Sequence, residues 1–165
     1  MISAILACED KGGIGKDGTL PWPKNQEDLA YFKRMTDGKT VVMGSSTWQS
    51  SGMPKPLPNR RNVVVTLSPV QHPGADDYIP YSGSSLTDSI QRLKDWRGIE
   101  PVFIIGGARL IEEVLFIIDS FYLTRIPGDY HCDTFLPLAK IESQFHRTVV
   151  EKGKEATYET WYKRK

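Results

Sequence analysis

The chain is 165 residues long, enough to bury one sizeable core and short for two, so a single domain over residues 1–165 is expected. With 39% hydrophobic and 25% charged residues it has the composition of a globular protein in water, not of a disordered or bilayer-spanning chain. Lys and Arg number 21 against 20 for Asp and Glu, and a formal charge of +1 disfavours a surface built to hold nucleic acid.

Residues 1–8 are apolar, but no basic residues precede them. Glu9-Asp10-Lys11 ends the run too soon for a signal peptide or a membrane span, so 2–8 reads as a buried first strand. A Gly- and Pro-rich loop is predicted over 12–23. Asn25 suits a helix N-cap, the helix running to about Thr36 and closing at Asp37-Gly38. Residues 39–43 read as the second strand, and Gly44-Ser45-Ser46 leads into a short helix ended by Gly52. Residues 62–66 are a further strand, and 78–81 a short one limited by Pro80. Leu86, Ile90 and Leu93 recur at helical spacing, which predicts a helix over 86–96. Val102-Phe103-Ile104-Ile105 is a continuous apolar run, the mark of a strand covered on both faces. Gly106-Gly107 opens a helix to about Ile117, and 121–126 is a strand. Residues 145–151 and 156–162 read as an antiparallel hairpin at one sheet edge. The predicted fold class is α/β: one domain with a mainly parallel central sheet, helices on both faces and a C-terminal antiparallel hairpin. Trp48, Trp96 and Trp161 read as packing residues.

Cys8 and Cys132 have no CxxC spacing, and His72, His131 and His146 are scattered. No metal site and no disulfide framework is expected, and two free thiols suit a reducing cytoplasm.

Three glycine motifs stand out. Gly13-Ile14-Gly15-Lys16-Asp17-Gly18 matches the dinucleotide fingerprint G-x-G-x-x-G, but Pro21 and Pro23 leave no room for the helix that fingerprint requires. The segment is read instead as a mobile loop able to approach a flat ligand closely, or as a plain surface connection. Gly106-Gly107-Ala108-Arg109 sits where a buried strand gives way to a helix. First-turn N–H groups there are free for phosphate oxygens, although tight turning alone would also call for glycine. Gly44-Ser45-Ser46-Thr47 repeats the arrangement, though its hydroxyls would serve equally as helix caps. Two such cradles suit a dinucleotide.

The helix after Asn25 carries the sharpest signal. Leu29, Tyr31, Phe32 and Met35 form one apolar stripe, and Asp28 projects near its middle, three and four residues ahead of Tyr31 and Phe32. Glu27 is expected to point toward water on the side of Arg34, where an acid near a helix N-terminus needs no further reason. A carboxylate directed inward is costly unless paired, so Asp28 is the candidate functional acid; a ligand with adjacent N–H donors would satisfy it.

Taken together, Ile14-Gly15 with Leu20-Pro21-Trp22, Asp28-Leu29-x-x-Phe32-Lys33, Val42-Met43-Gly44-x-x-Thr47-Trp48, Pro56-Leu57-Pro58-x-Arg60-x-Asn62, Ile105-Gly106-Gly107-Ala108, Tyr122-Leu123-Thr124-Arg125-Ile126 and Asp133-Thr134-x-x-Pro137 resemble the dihydrofolate reductase family in order and spacing, from Met1 to the C-terminal hairpin. The resemblance implies a monomeric, cytoplasmic, NADPH-dependent oxidoreductase that reduces 7,8-dihydrofolate to tetrahydrofolate and supports one-carbon metabolism. It implies Asp28 on the pterin, with Thr124 in the same network and Leu20 and Trp22 completing the catalytic set. Ile5, Ala7, Leu29, Phe32, Leu57 and Ile105 would frame the substrate rings, with Arg60 and Lys33 toward the glutamate tail. Ala7, Ile14, Gly15, Gly18 and Leu20 would face the nicotinamide. Gly44, Ser45, Ser46 and Thr47, then Thr66 and Leu67, then Ile105, Gly106, Gly107, Ala108, Arg109 and Leu110 would hold the rest of the cofactor, with the Gly106–Gly107 bond cis.

Some positions depart from the family's pattern. Ser45, Leu67 and Ser84 stand where relatives carry basic residues near the adenosine 2′-phosphate, Ile111 stands in place of a Tyr near the nicotinamide, and Met53-Pro54-Lys55 lengthens a loop. The alternative readings are a same-fold NADPH reductase of another heterocycle and a non-catalytic folate- or dinucleotide-binding protein.

Overall fold

The computed structural model describes residues 1–50, 53–81, 83–95, 98 and 101–165. In chain order the elements are β1 (Ile2–Glu9), β2 (Gly13–Gly15), α1 (Gln26–Thr36), β3 (Thr40–Gly44), α2 (Ser45–Gln49), β4 (Arg61–Val65), β5 (Asp77–Ile79), α3 (Gly83–Arg92), β6 (Val102–Gly106), α4 (Ala108–Val114), β7 (Ser120–Ile126), β8 (Thr134–Phe135), α5 (Leu138–Gln144), β9 (Phe145–Lys152) and β10 (Thr157–Lys163). Among the described residues eight strands form one sheet in the order β5-β4-β3-β6-β1-β7-β10-β9. Every pairing from β5 to β7 is parallel; β10 runs antiparallel to both β7 and β9. This is the expected α/β architecture with its hairpin at one edge.

The central strands are apolar throughout because both their faces are covered. Val41, Met43, Val64, Phe103, Ile105 and Ile5 point to the face carrying α1 and Trp48. Their neighbours Val42, Val63, Val65, Val102, Ile104 and Ala4 point to the other, beneath Leu86 and Ile90 of α3 and Leu110, Ile111 and Val114 of α4. Each large aliphatic chain so buried contributes about 1.5–3 kcal/mol of transfer free energy, which is what holds short helices on this sheet.

Several expectations need correction. The 12–23 loop is not free of structure: Gly13–Gly15 pairs antiparallel with Thr134–Phe135, and Lys16 and Thr19 exchange backbone hydrogen bonds across a tight turn with positive φ at Asp17 and Gly18. Asp-Gly is the dipeptide that such a turn favours. α4 ends at Val114 and tightens into a 3-10 turn over Leu115–Ile117. α3 starts at Gly83 and likewise ends in a 3-10 turn, Leu93–Asp95; Trp96 lies outside the described residues. The short α2 stops at Gln49, before Gly52, which is also outside them. β8 and α5 have no counterpart among the elements the sequence predicts. Both are short, and β8 exists only through its pairing with a distant segment.

Candidate active site

α1 begins where Asn25 accepts the Asp28 N–H at 2.9 Å, and it ends where Asp37 N–H reaches the Lys33 carbonyl and Gly38 turns with φ +74°. Its inner side faces β7 and β10. Asp28 is half-buried there, with the Thr124 hydroxyl of β7 near its carboxyl. Burial raises the Asp28 pKa above the ordinary aspartate value. The Thr124 hydroxyl opposes the rise, and the nearby Glu27 charge adds to it. Burial likewise pushes the Tyr31 phenol up to about 12. Glu27 does not point into water as expected: it accepts Tyr158 O–H at 2.9 Å and Lys154 N–H at 3.0 Å from the C-terminal hairpin. A helical wheel assigns that side to solvent because it has no knowledge of the hairpin folding over it.

Below Asp28 lies an apolar cluster. Ile5, Leu57 and Ile105 are buried in it with Phe103, while Phe32, Tyr31 and Met35 of α1 and Met53 are partly covered. Leu29 is 41% exposed, so the stripe expected to be core does not bury all of its members. Arg60 stands beside that cluster, its guanidinium 6.0 Å from the Phe32 ring centroid, with Nη1 donating to Thr36 Oγ1 at 3.1 Å and Nε to the Pro58 carbonyl. Desolvation lowers its pKa, and the nearby Asp37 charge opposes the fall. The loop carrying Leu57 and Arg60 is held by Asn62, fully buried, which accepts Leu57 N–H and donates to the Leu57 and Arg60 carbonyls. Lys33 is exposed on the outer side of α1.

The two glycine motifs meet because β3 and β6 are neighbours. Gly44 packs against Gly107 N and Gly106 O; a Cβ at Gly106 would stand 3.1 Å from Thr47 Oγ1, and one at Gly107 3.3 Å from Ser46 Oγ. The Gly106–Gly107 peptide is cis and Gly106 has φ +131°. No side chain caps either α2 or α4, so Ser46 and Thr47 do not act as the helix caps considered as an alternative. Ser45 is half-buried at the start of α2, and Ala108 and buried Leu110 continue into α4. Arg109 projects outward, over the Tyr81 ring at 5.3 Å and 3.6 Å from Glu113. Thr66 is buried and accepts Ser68 N–H, while Leu67 is 72% exposed.

The glycine loop borders the same cleft. Ala7 of β1 pairs with Thr124, and Ile14 packs partly on the core. Trp22 is buried edge-on against Tyr130, whereas Leu20 is 60% exposed and Gly18 sits at the turn's outer tip. The base of the loop hangs on Glu9. This buried carboxylate takes the N–H groups of Lys11 (2.8 Å), Gly13 (2.9 Å) and Tyr130 (3.4 Å). Glu9, Asn62, Tyr130 and Tyr158 hold the segments around the candidate site in place, and sequence reasoning missed them. An acid flanked by Cys8 and Asp10 carries no local sign of three distant or turned-back amides.

The sequence model of the dihydrofolate reductase family matches residues 1–163. The chain belongs to the dihydrofolate reductase family. It is 38% identical over 138 residues to the dihydrofolate reductase of Bacillus subtilis (strain 168), covering 83% of this chain and 76% of that one. It is 32% identical over 167 residues to dihydrofolate reductase type 8 of Escherichia coli, covering 99% and 96%. The fold superposes on a dihydrofolate reductase from Enterococcus faecalis complexed with NADP(H) and RAB-propyl, with TM-score 0.80, 28% identity, and 100% and 97% of the two chains covered. Of the departures from the reductase pattern, Ile111 is fully buried in the core beneath α4, and Leu67 is at the surface. The Ser84 side chain lies outside the described residues.

Proposed function

We propose that the cleft between α1, the glycine loop and the β3 and β6 ends is where the chain reduces 7,8-dihydrofolate to 5,6,7,8-tetrahydrofolate with NADPH. The observation that carries this reading is the half-buried Asp28 carboxyl, set near the Thr124 hydroxyl and beside the apolar cluster of Ile5, Phe32, Leu57 and Ile105. A pterin presents adjacent ring and amino N–H donors, which a carboxylate accepts in a bidentate way. Asp28 holds that edge, and its negative charge polarises the ring toward protonation at N5. Asp28 cannot also reach N5 on the far side, so an ordered water delivers that proton. Ile5, Leu29, Phe32, Leu57 and Ile105 grip the flat rings. Arg60, pre-set on Phe32 and Thr36, holds the tail carboxylate, with Lys33 farther out.

The residues present fit the cofactor. Gly44, Gly106 and Gly107 leave a cradle that a Cβ would fill, bordered by the Ser46 and Thr47 hydroxyls and the uncapped first turns of α2 and α4. Ser45, Ser46, Thr47, Thr66, Leu67, Ala108, Arg109 and Leu110 would hold its phosphates and adenosine. Ala7, Ile14, Gly15, Gly18, Leu20 and Ile105 would hold the nicotinamide. When bound, NADPH supplies the hydride that C6 receives. Trp22 anchors the 12–23 loop, and Leu20 folds inward to exclude bulk water.

The chain works as a monomer in the cytoplasm on this reading; its two cysteines are free thiols, which suits a reducing compartment. No helix among the described residues is long and apolar enough to cross a membrane.

The test follows the loss of reduced-nicotinamide absorbance on adding dihydrofolate, with NADPH and NADH, in wild type and Asp28→Asn. Turnover that requires dihydrofolate and drops by roughly 10²–10⁴ in the variant is expected. Full turnover in a folded Asp28→Asn removes the assigned role. Absence of turnover with dihydrofolate in the wild type, with ligand bound, favours the binding-protein or other-heterocycle readings.

A further inference from the structure

The consecutive carboxylates Glu27 and Asp28 meet a pair of cross-strand partners. Thr124 of β7 and Tyr158 of β10 lie directly opposite each other in the antiparallel ladder, so their side chains stand on the same face of the sheet. Asp28 lies near Thr124, and Glu27 Oε1 accepts Tyr158 O–H at 2.9 Å. The two contacts form parallel rungs from one helix turn to two adjacent strands.

The Glu27 rung is reinforced from the hairpin turn. Glu27 Oε2 accepts Lys154 N–H at 3.0 Å and Glu155 N–H at 3.3 Å. In return, Glu155 accepts from the α1 end: its carbonyl from Asn25 Nδ2 at 3.2 Å and its carboxylate from Glu27 N–H at 3.4 Å. Asn25 is also the cap that binds the Asp28 N–H. Gly153 is shaped for this clasp, because a Cβ there would collide with Glu27 Oε1. The Tyr31 and Tyr158 rings, with centroids 4.5 Å apart, add a packing contact between helix and hairpin.

We infer that Glu27 is a positioning residue for the reductase reaction: its clasp on Tyr158 and the 153–155 turn sets the α1 N-terminus, and through it the Asp28 carboxylate, against Thr124. The inference rests on the reading of Asp28 as the acid that holds the pterin. Glu27 reaches the hairpin, not the cleft, so it acts through Asp28. A helix whose first turn is tethered at three points cannot rotate, whereas an untethered one lets a short aspartate side chain drift from a productive pose. Glu27 also acts at a distance, its charge favouring the protonated form of Asp28. The other groups around that carboxyl are Tyr31 of α1, Thr124 of β7 and Tyr158 of β10, with Tyr122, Glu151 and Arg34 next to Tyr31.

The experiment combines two readouts on Glu27→Gln, Tyr158→Phe and Gly153→Ala. The first is the titration of the Asp28 side-chain carboxyl by carbon-13 NMR in the ligand-free protein; the second is kcat/KM for dihydrofolate. In Glu27→Gln the negative neighbour is gone, and Asp28 titrates at lower pH than in wild type. Gly153→Ala keeps the Glu27 charge but evicts it from the clasp, and it moves the titration in the same direction. In all three, kcat/KM falls about tenfold with the fold intact, the scale of a catalytic group misplaced by part of an ångström. Unchanged Asp28 titration and unchanged kcat/KM in Glu27→Gln and Gly153→Ala would reduce Glu27 to a staple between helix and hairpin and overturn the inference. Asp28→Asn separates the two failures. Lost turnover there, beside wild-type behaviour in the clasp variants, overturns the clasp alone; retained turnover there overturns the reading of the acid and the inference with it.

Discussion

Replacing Asn62 by alanine tests whether one buried amide holds both a structural loop and the Arg60 site proposed for the substrate's tail. Asn62 has no exposed surface and makes three side-chain hydrogen bonds, accepting Leu57 N–H at 2.9 Å and donating to the Leu57 and Arg60 carbonyls, each at 3.0 Å. At about 1 kcal/mol net each, their loss costs about 3 kcal/mol, rising toward about 5 kcal/mol because Leu57 N–H is left buried without a partner. For a chain of this length that corresponds to a fall in Tm of roughly 10 °C. The kinetic consequence is selective. Arg60 depends on this loop for its place beside Phe32 and Thr36. KM for dihydrofolate is therefore expected to rise about tenfold, the loss of one charge-assisted contact. KM for a reduced pterin lacking the glutamate tail should stay nearly constant. Urea unfolding gives the stability change, and initial rates with the two substrates give the split. A stability loss below about 1 kcal/mol, or an equal rise in KM for both substrates, would refute the reasoning.

Three further outcomes are expected. Asp28 has a folded-state pKa raised above its ordinary value of 3.8, so its contribution to stability is fully present below that value and is lost as pH rises through the folded pKa. Asp28→Asn should accordingly be more stable than wild type at neutral pH and lose that advantage below about pH 3.8, as read by urea unfolding across pH. Gly106→Ala places a Cβ at φ +131° and 3.1 Å from Thr47 Oγ1. It should cost about 1–3 kcal/mol and sharply weaken NADPH binding, measured by fluorescence titration. Glu159→Ala removes a carboxylate, 5% exposed, that takes Arg125 Nε and Arg147 Nη1 at 3.1 Å each and Trp161 Nε1 at 3.0 Å. Arg125 is left as an unpaired, largely buried cation, so thermal unfolding should show a loss of about 3–5 kcal/mol. Glu159 alternates with Tyr158 and faces away from the cleft, so kcat/KM should not change.

What sequence alone determines here is local chemistry. Asn25 starts a helix because its side chain accepts an early N–H, and apolar runs such as Val102-Phe103-Ile104-Ile105 become strands because only burial on both faces suits them. Pro21 and Pro23 rule out the nucleotide fingerprint at Gly13, and the inward placement of Asp28 follows from the period of the helix. The tertiary structure decides what these pieces meet. Gly44 and Gly106 form one cradle only because β6 inserts between β3 and β1, a pairing between segments some sixty residues apart. The loop at Gly13 becomes a strand only when Thr134 arrives beside it, and Glu9 becomes its anchor only when Tyr130 folds back. Glu27 and Asp28 differ by one position and about 100° of helix rotation. Periodicity separates their directions, but only the hairpin folding over the outer one turns a solvent-facing acid into a clasp, because long-range contacts leave no trace in local spacing.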